Sequence, residues 1–166
     1  MEPYGNHQEE LKKIKGRIKD IRVAIMTTIS AEGKLHSRPM ATNEMEEDGS
    51  LWFFTDQSSE KVSELSHDNV VSLSYSNPDD NTYVCLTGEA EVVDDRKKMK
   101  ELFNPMVKAW YPKGLDDPDM TLLKVIPQDA EYWDGSSSKM VVAFNMLKAV
   151  VTGKEYDEGE HGKISL

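Results

Sequence analysis

The chain has little from which to build a stapled or metal-held fold. Its single cysteine, Cys85, excludes an intrachain disulfide and any zinc site of the paired- or four-cysteine type. Cys85 lies in the apolar stretch YVCLTG, where a packed thiol is a commoner role than a nucleophile. The four histidines, His7, His36, His67 and His161, show neither HxxxH nor HxH spacing, so no metal site is expected. No apolar run approaches the ~20 residues that span a bilayer, and MEPYGNHQEELKK lacks a signal-peptide core. A cytoplasmic protein away from the membrane is the expectation. Arginine is also scarce, confined to Arg17, Arg22, Arg38 and Arg96. A formal charge of −10 argues against nucleic acid, whose phosphates the overall field would repel. A single phosphate is another matter, because a few local donors can hold it. In so acidic a chain, each well-placed cation becomes more informative.

What is present suits one globular domain. A chain of 166 residues, 38% hydrophobic and 30% charged, buries roughly 70% of its extended surface on folding. One domain is expected over residues 1–153, and KEYDEGEHGKISL at 154–166 reads as a flexible C-terminal tail. QEELKKIKGRIKD at 8–20 spaces Leu11, Ile14 and Ile18 as an amphipathic helix. RVAIMTTIS at 22–30 and LHSRPMATN at 35–43 read as two strands joined at Gly33, where a tight turn often needs positive φ. Pro39 lacks the ladder donor, which puts its strand at an edge, at a bulge or in a locally unpaired stretch. Glu44–Asp48 reads as an acidic turn. Further strands are expected near 50–55, 70–76, 83–93 and 122–134, and a short helix at 96–103. Residues 104–119, with three prolines, read as a loop holding one helical turn near Met106–Trp110. Residues 139–151 are apolar enough for either a strand or a helix. Six strands without a βαβ rhythm favour an antiparallel barrel. The interior of a small barrel is filled by side chains, so a ring-sized ligand would bind outside it.

LWFFTDQSSEKVSEL at 51–65 is the most suggestive segment for chemistry. It reads as an aromatic strand, a polar turn and an amphipathic helix whose start holds Ser58, Ser59 and Lys61. Free amide N–H groups and the dipole at a helix N-terminus attract an anion, and Lys61 adds a full charge. An aromatic wall leading to such a terminus suits a ligand with a flat ring at one end and a phosphate at the other. Residue by residue, plainer roles are also open. Arg38 has a second reading as a strand cation paired with Glu44 or Glu46, and Lys61 as a solvated helix lysine.

Several ordered pieces of this sequence resemble the pyridoxamine 5′-phosphate oxidase-like flavoproteins, the FMN-binding split-barrel family, and in particular its general stress protein branch. The pieces are SRPMAT at 37–42, LWFFTD and SSEK within 51–61, YVCLTGEAEV at 83–92 and EYWDG at 131–135. The resemblance implies a mainly β fold with short helices, a six-stranded antiparallel split β-barrel that binds FMN. It implies that Arg38 contacts the flavin and that Pro39, Met40, Ala41 and Thr42 line the ring. It assigns Phe54 and Thr55 to the ring and ribityl chain, Ser59 and Lys61 to the phosphate, and Tyr83 and Trp133 to the cofactor site, the last often from a second subunit. A homodimer follows from the same resemblance, and the apolar loop NPMVKAWYP offers surface for one.

Departures from the family's oxidases shape the expected function. Glu60 stands where they carry a basic residue, and no arginine follows Trp133, whereas their C-terminal tail carries arginine and histidine. Vitamin B6 oxidation is therefore not expected. A flavin-dependent oxidoreductase with an unidentified substrate and electron donor is the leading expectation. A non-catalytic flavin binder for storage or stress, and a plain interaction domain, are the alternatives. No catalytic acid or base is assigned.

Overall fold

The computed structural model of the chain describes residues 3–135, 139–156 and 159–166. Helix α1 (Pro3–Ile18) buries Leu11, Ile14 and Ile18 against the main core and leaves its lysines outside. Strands β1 (Val23–Ile29) and β2 (Leu35–Ala41) form an antiparallel hairpin whose turn contains Gly33 at φ 76°. The short strand β3 (Glu44–Met45) leads to β4 (Leu51–Asp56) and then to helix α2 (Glu60–His67). Strands β5 (Val70–Asn77) and β6 (Thr82–Val93) follow. Helix α3 (Arg96–Leu102) is capped by Asp95, and helix α4 (Pro105–Trp110) by Asn104. Strand β7 (Met120–Asp134), helix α5 (Lys139–Thr152) and strand β8 (Glu160–Ser165) complete the described elements.

All eight strands join one curled antiparallel sheet in the order β2-β1-β5-β6-β7-β4-β3, with β8 added on β7. The fifteen residues of β7 serve both β4 and β8. Its first half pairs β4 in the register Phe54↔Leu122, and its second half pairs β8 in the register Ala130↔Ile164. On its other side β7 pairs β6 from Leu122 to Asp134, with one register shift beside Gly88. A Cβ at Gly88 would meet the Ile126 carbonyl oxygen at 2.1 Å, so the strands come this close only because the residue is glycine. Inward residues such as Met26, Phe53, Leu73, Tyr75 and Leu86 fill the main core. Trp52, Met99, Leu102, Met120 and Leu122 form a second cluster where α3 covers the outside of the sheet.

Two expectations need correction. The acidic segment 44–48 contributes β3, a two-residue pairing with β4, as well as a turn. The expected flexible tail contains β8, paired with β7 over six residues. Beyond its contact with β4, the edge of β7 would otherwise expose unsatisfied N–H and C=O groups, and Glu160–Ser165 supplies their partners. Ile164 turns into the core, while Glu160 accepts a 2.8 Å hydrogen bond from the Tyr132 hydroxyl. One isolated isoleucine among polar residues gives no alternation long enough to read as a strand. The segment at 139–151, left between strand and helix, lies within α5.

The sheet is split rather than closed. The Asn43 N–H donates to the Trp52 carbonyl at 2.8 Å, which draws the chain just after β2 against β4. Because β2 ends the strand order, its edge away from β1 has no strand partner among the described residues. Pro39 sits on this strand, in the edge position that its missing N–H requires.

Candidate functional site

The split opens into a cavity of about 630 Å³, within the roughly 300–1,000 Å³ typical of cofactor sites. One wall is the end of β2 and its continuation, from Pro39 to Asn43. The opposite wall is Phe54, Thr55 and Asp56 of β4. Lys61 on the first turn of α2 closes one end. Asn104, Met106 and Trp110 on and beside α4 line the cavity from another side, with Tyr111 just after that helix. Arg22, immediately before β1, completes the rim.

Each wall has a local cause. An unpaired strand edge presents backbone donors and acceptors that a ligand can use. Phe54 is half-buried and packs edge-on to Phe103 and tilted to Tyr111, with ring centroids 6.4 Å apart in both pairs. The Lys61 ammonium donates to the Thr55 hydroxyl at 2.9 Å, which aims it along β4 into the cavity. Burial holds the Lys61 ammonium below the ordinary lysine range, and the charge of Arg38 adds to this against the pull of Asp56 and Glu64. Ser59 is the N-cap of α2 without using its side chain as a cap, and its hydroxyl lies 3.5 Å from that of Thr55. Burial, reinforced by the neighbouring Asp56 carboxylate, pushes the Tyr111 phenol far above its usual range, so it stays protonated. The Thr42 hydroxyl is 2.6 Å from that of Tyr75, whose phenol burial pushes up to about 12.

Of the residues singled out by sequence, Pro39, Met40, Ala41, Thr42, Phe54, Thr55 and Lys61 come together on this cavity. Ser59 stands directly behind it. Ser58 does not face a ligand; its N–H and hydroxyl both bond Asp119, at 2.8 and 2.6 Å. Arg38 is turned away from the lining. Its guanidinium bonds the Thr28 hydroxyl at 2.5 Å and ion-pairs with Glu64 at 3.1 Å, so its carboxylate partner is neither Glu44 nor Glu46. Tyr83 and Trp133 face each other across β6 and β7, at the opposite end of β7 from Leu122, the partner of Phe54. There Trp133 stacks on His161, with centroids 5.1 Å apart and planes 8° from parallel. Neither residue lines the cavity.

The sequence reading missed Arg22, Asp56 and the α4 side of the site. Residues 104–119 read as a loop with one helical turn near Met106–Trp110, and α4 is that turn, but its aromatics were assigned to a dimer surface and not to a ligand cavity. The one usable signal was Asn-Pro at 104–105, an N-cap followed by proline at N1. Tertiary structure also brings His36, Glu60 and Glu64 within 4.8 Å of one another. Both oxygens of Glu64 are engaged, one by His36 and the other by Thr28 and Arg38. A guanidinium on the central carboxylate makes this an ion-pair cluster that disfavours a metal cation.

Comparisons with known proteins agree with the fold. The family model described as "Pyridoxamine 5'-phosphate oxidase like" matches residues 9–157. Protein bli-3 of Neurospora crassa is 28% identical over 143 residues, covering 80% of this chain and 68% of that protein. A solved structure named for general stress protein 26 of Jannaschia sp. CCS1 superposes with a TM-score of 0.74. It is 22% identical and covers 95% of this chain and 99% of its own. A general stress FMN/FAD binding protein of Xanthomonas citri gives a TM-score of 0.68 at 26% identity, over 79% and 92% of the two chains.

Proposed function

Because the chain belongs to the pyridoxamine 5′-phosphate oxidase-like family, we propose that its cavity holds FMN and that it serves as a flavin-dependent oxidoreductase. One observation carries the reading. The seam of the split barrel joins a free strand edge, an aromatic wall and a helix N-terminus bearing a lysine in one cavity of cofactor size. The description of the Xanthomonas citri relative as FMN/FAD binding points the same way.

Each group then has a defined task. The free edge at Pro39–Thr42 offers backbone hydrogen bonds to the polar rim of the ring, and Phe54 covers apolar surface beside it. Lys61 and the first amides of α2 take the phosphate; a hydrogen bond to a charged group contributes about 1.5–3 kcal/mol. Arg38 holds α2 to β2 through Glu64 and steadies the phosphate end from behind. FMN, once bound, supplies the hydride or electron transfer. Tyr83 and Trp133 join the site only from a second protomer. A homodimer fits the apolar surface left open, including Trp110 at 77% exposure and Phe144, Leu147 and Val150 on α5. With no arginine after Trp133 to hold a second phosphate, the substrate is not a vitamin B6 phosphate. One cysteine and no disulfide suit a cytoplasmic setting.

Absorbance of the freshly purified protein in the near-ultraviolet and blue tests the cofactor. A melting scan with added FMN is the second arm, since ligand at 100 times Kd stabilises by about 2.7 kcal/mol. A colourless protein whose melting ignores FMN would refute the reading. Anaerobic reduction by NADH or NADPH separates the two flavin functions. Fast bleaching indicates a reductase. An inert yellow protein supports the alternative, a flavin-binding stress or storage protein, which the lack of any assigned acid or base in the cavity keeps open.

A further inference from the structure

The cavity carries a cation at each end, and the two differ in setting. Lys61 is half-buried, on the first turn of α2, and bonded to Thr55. Arg22 lines the same cavity but is exposed, and its side chain has no hydrogen bond or ion pair among the described residues. The backbone locates it. The Thr42 N–H donates to the Arg22 carbonyl at 2.9 Å, and the next residue, Asn43, donates to the carbonyl of Trp52 at 2.8 Å. Arg22 thus belongs to the Trp52 level of β4, whereas Lys61 is fastened at Thr55, three residues further along. At ~3.3 Å per residue those anchor points are roughly 10 Å apart. Between them runs the free edge of β2. The carboxylate that lines the cavity, Asp56, lies at the Lys61 end, where it attracts the ammonium. No carboxylate therefore neutralises the Arg22 end from within the cavity lining.

A ligand whose phosphate is taken by Lys61 and α2, and whose ring lies along Pro39–Thr42, presents the far edge of that ring to Arg22. Resting on the FMN reading above, we propose that Arg22 tunes the bound flavin by stabilising negative charge on the pyrimidine edge of its ring. Reduction by a hydride donor, or by two electrons and one proton, leaves the flavin one unit more negative, with that charge shared over N1 and the C2 carbonyl oxygen. An unpaired guanidinium there favours the reduced over the oxidised form and raises the midpoint potential. Lys61 and α2 take the phosphate at the other end of the cavity, so Arg22 and Lys61 are expected to have separable effects.

The test uses the flavin-loaded full chain and three variants, Arg22→Gln, Arg22→Lys and Lys61→Ala. Spectroelectrochemical titration gives the midpoint potential, and FMN and riboflavin affinities are measured on the apo forms. Arg22→Gln is expected to lose about tenfold in preference for reduced flavin, a midpoint roughly 30 mV more negative for a two-electron couple. It should leave the FMN-to-riboflavin affinity ratio intact, and Arg22→Lys should restore most of the potential. Lys61→Ala should do the reverse, collapsing the ratio with a smaller change in potential. An unchanged potential in Arg22→Gln overturns the assignment. So does a collapsed ratio in that variant, which would put the phosphate at Arg22. If the wild type binds neither FMN nor riboflavin, the flavin reading itself fails, and that outcome is distinct from the other two.

Discussion

Arg38 and Glu64 form an ion pair behind the Lys61 end of the cavity, Nη2 to Oε2 at 3.1 Å, with the Glu64 side chain only 6% exposed. Thr28 and His36 complete the shell around that carboxylate. Glu64 belongs to α2 and Arg38 to β2, so the pair fixes the helix that carries Lys61 to the strand that forms the cavity wall. Removing one partner of a buried pair strands the other, at a cost of about 3 kcal/mol. Glu64→Ala should therefore lower the melting temperature by roughly 6–12 °C in a chain of this size. A drop of less than a degree would show that the pair contributes nothing to stability.

The same carboxylate sets an acid limit. Burial pushes the Glu64 carboxyl up, but hydrogen bonds from Thr28, His36 and Arg38 outweigh it and leave it below the ordinary glutamate range. A group depressed on folding stabilises the fold above its unfolded pKa, roughly 4.3 for glutamate, and loses that contribution as pH falls through its folded value. Stability of the wild type should decline below that point, and Glu64→Gln should flatten this part of the curve. Chemical denaturation between neutral and acid pH measures it, and parallel curves for the two proteins would assign the acid limit to other carboxylates.

Lys61 makes the opposite prediction at alkaline pH. Its ammonium is held low by burial first and by Arg38 second, and on the proposed FMN reading its attraction for the phosphate needs the charged form. FMN affinity should begin to fall at a pH below the ordinary lysine value of about 10.4. Riboflavin affinity should show no such fall. Lys61→Ala should weaken FMN about 10- to 100-fold at neutral pH and abolish this pH dependence. Titration calorimetry with both flavins decides it; equal FMN affinity in wild type and variant would place the phosphate elsewhere.

Strand β8 is structural in this fold. Deleting residues 159–166 would expose the edge of β7 over Asp129–Asp134, remove Ile164 from the core and take away the Glu160 partner of Tyr132 and Arg17. Burying one isoleucine side chain contributes about 1.5–3 kcal/mol. The truncated protein should melt several degrees lower and gain amide exchange along the second half of β7. A melting curve identical to that of the full chain would mark the segment as a true tail.

Much of this protein is legible residue by residue. Alternation in Val70–Ser76 and Tyr83–Val93 names the inward face of each strand because side chains alternate with period two, and the structure buries Val71, Leu73, Val84 and Leu86 accordingly. Pro39, lacking an N–H, restricts its strand to an edge, a bulge or an unpaired stretch, of which the fold shows the edge, and SRPMAT, LWFFTD and SSEK, through the family resemblance they carry, mark walls that meet at the cavity. The alternation and the proline signal are local, written in hydrophobic period and backbone geometry.

The rest depends on which distant segments meet, and that is a property of the curled sheet. Only the fold turns Arg38 toward Glu64, twenty-six residues on, and so removes it from the cavity lining while leaving Arg22 on the rim without a side-chain partner among the described residues. Only the fold makes α4 a wall of the site and gives Glu160–Ser165 a strand to pair with. Charge pairing and edge satisfaction are decided by proximity in space, and a linear spacing rule carries no information about them.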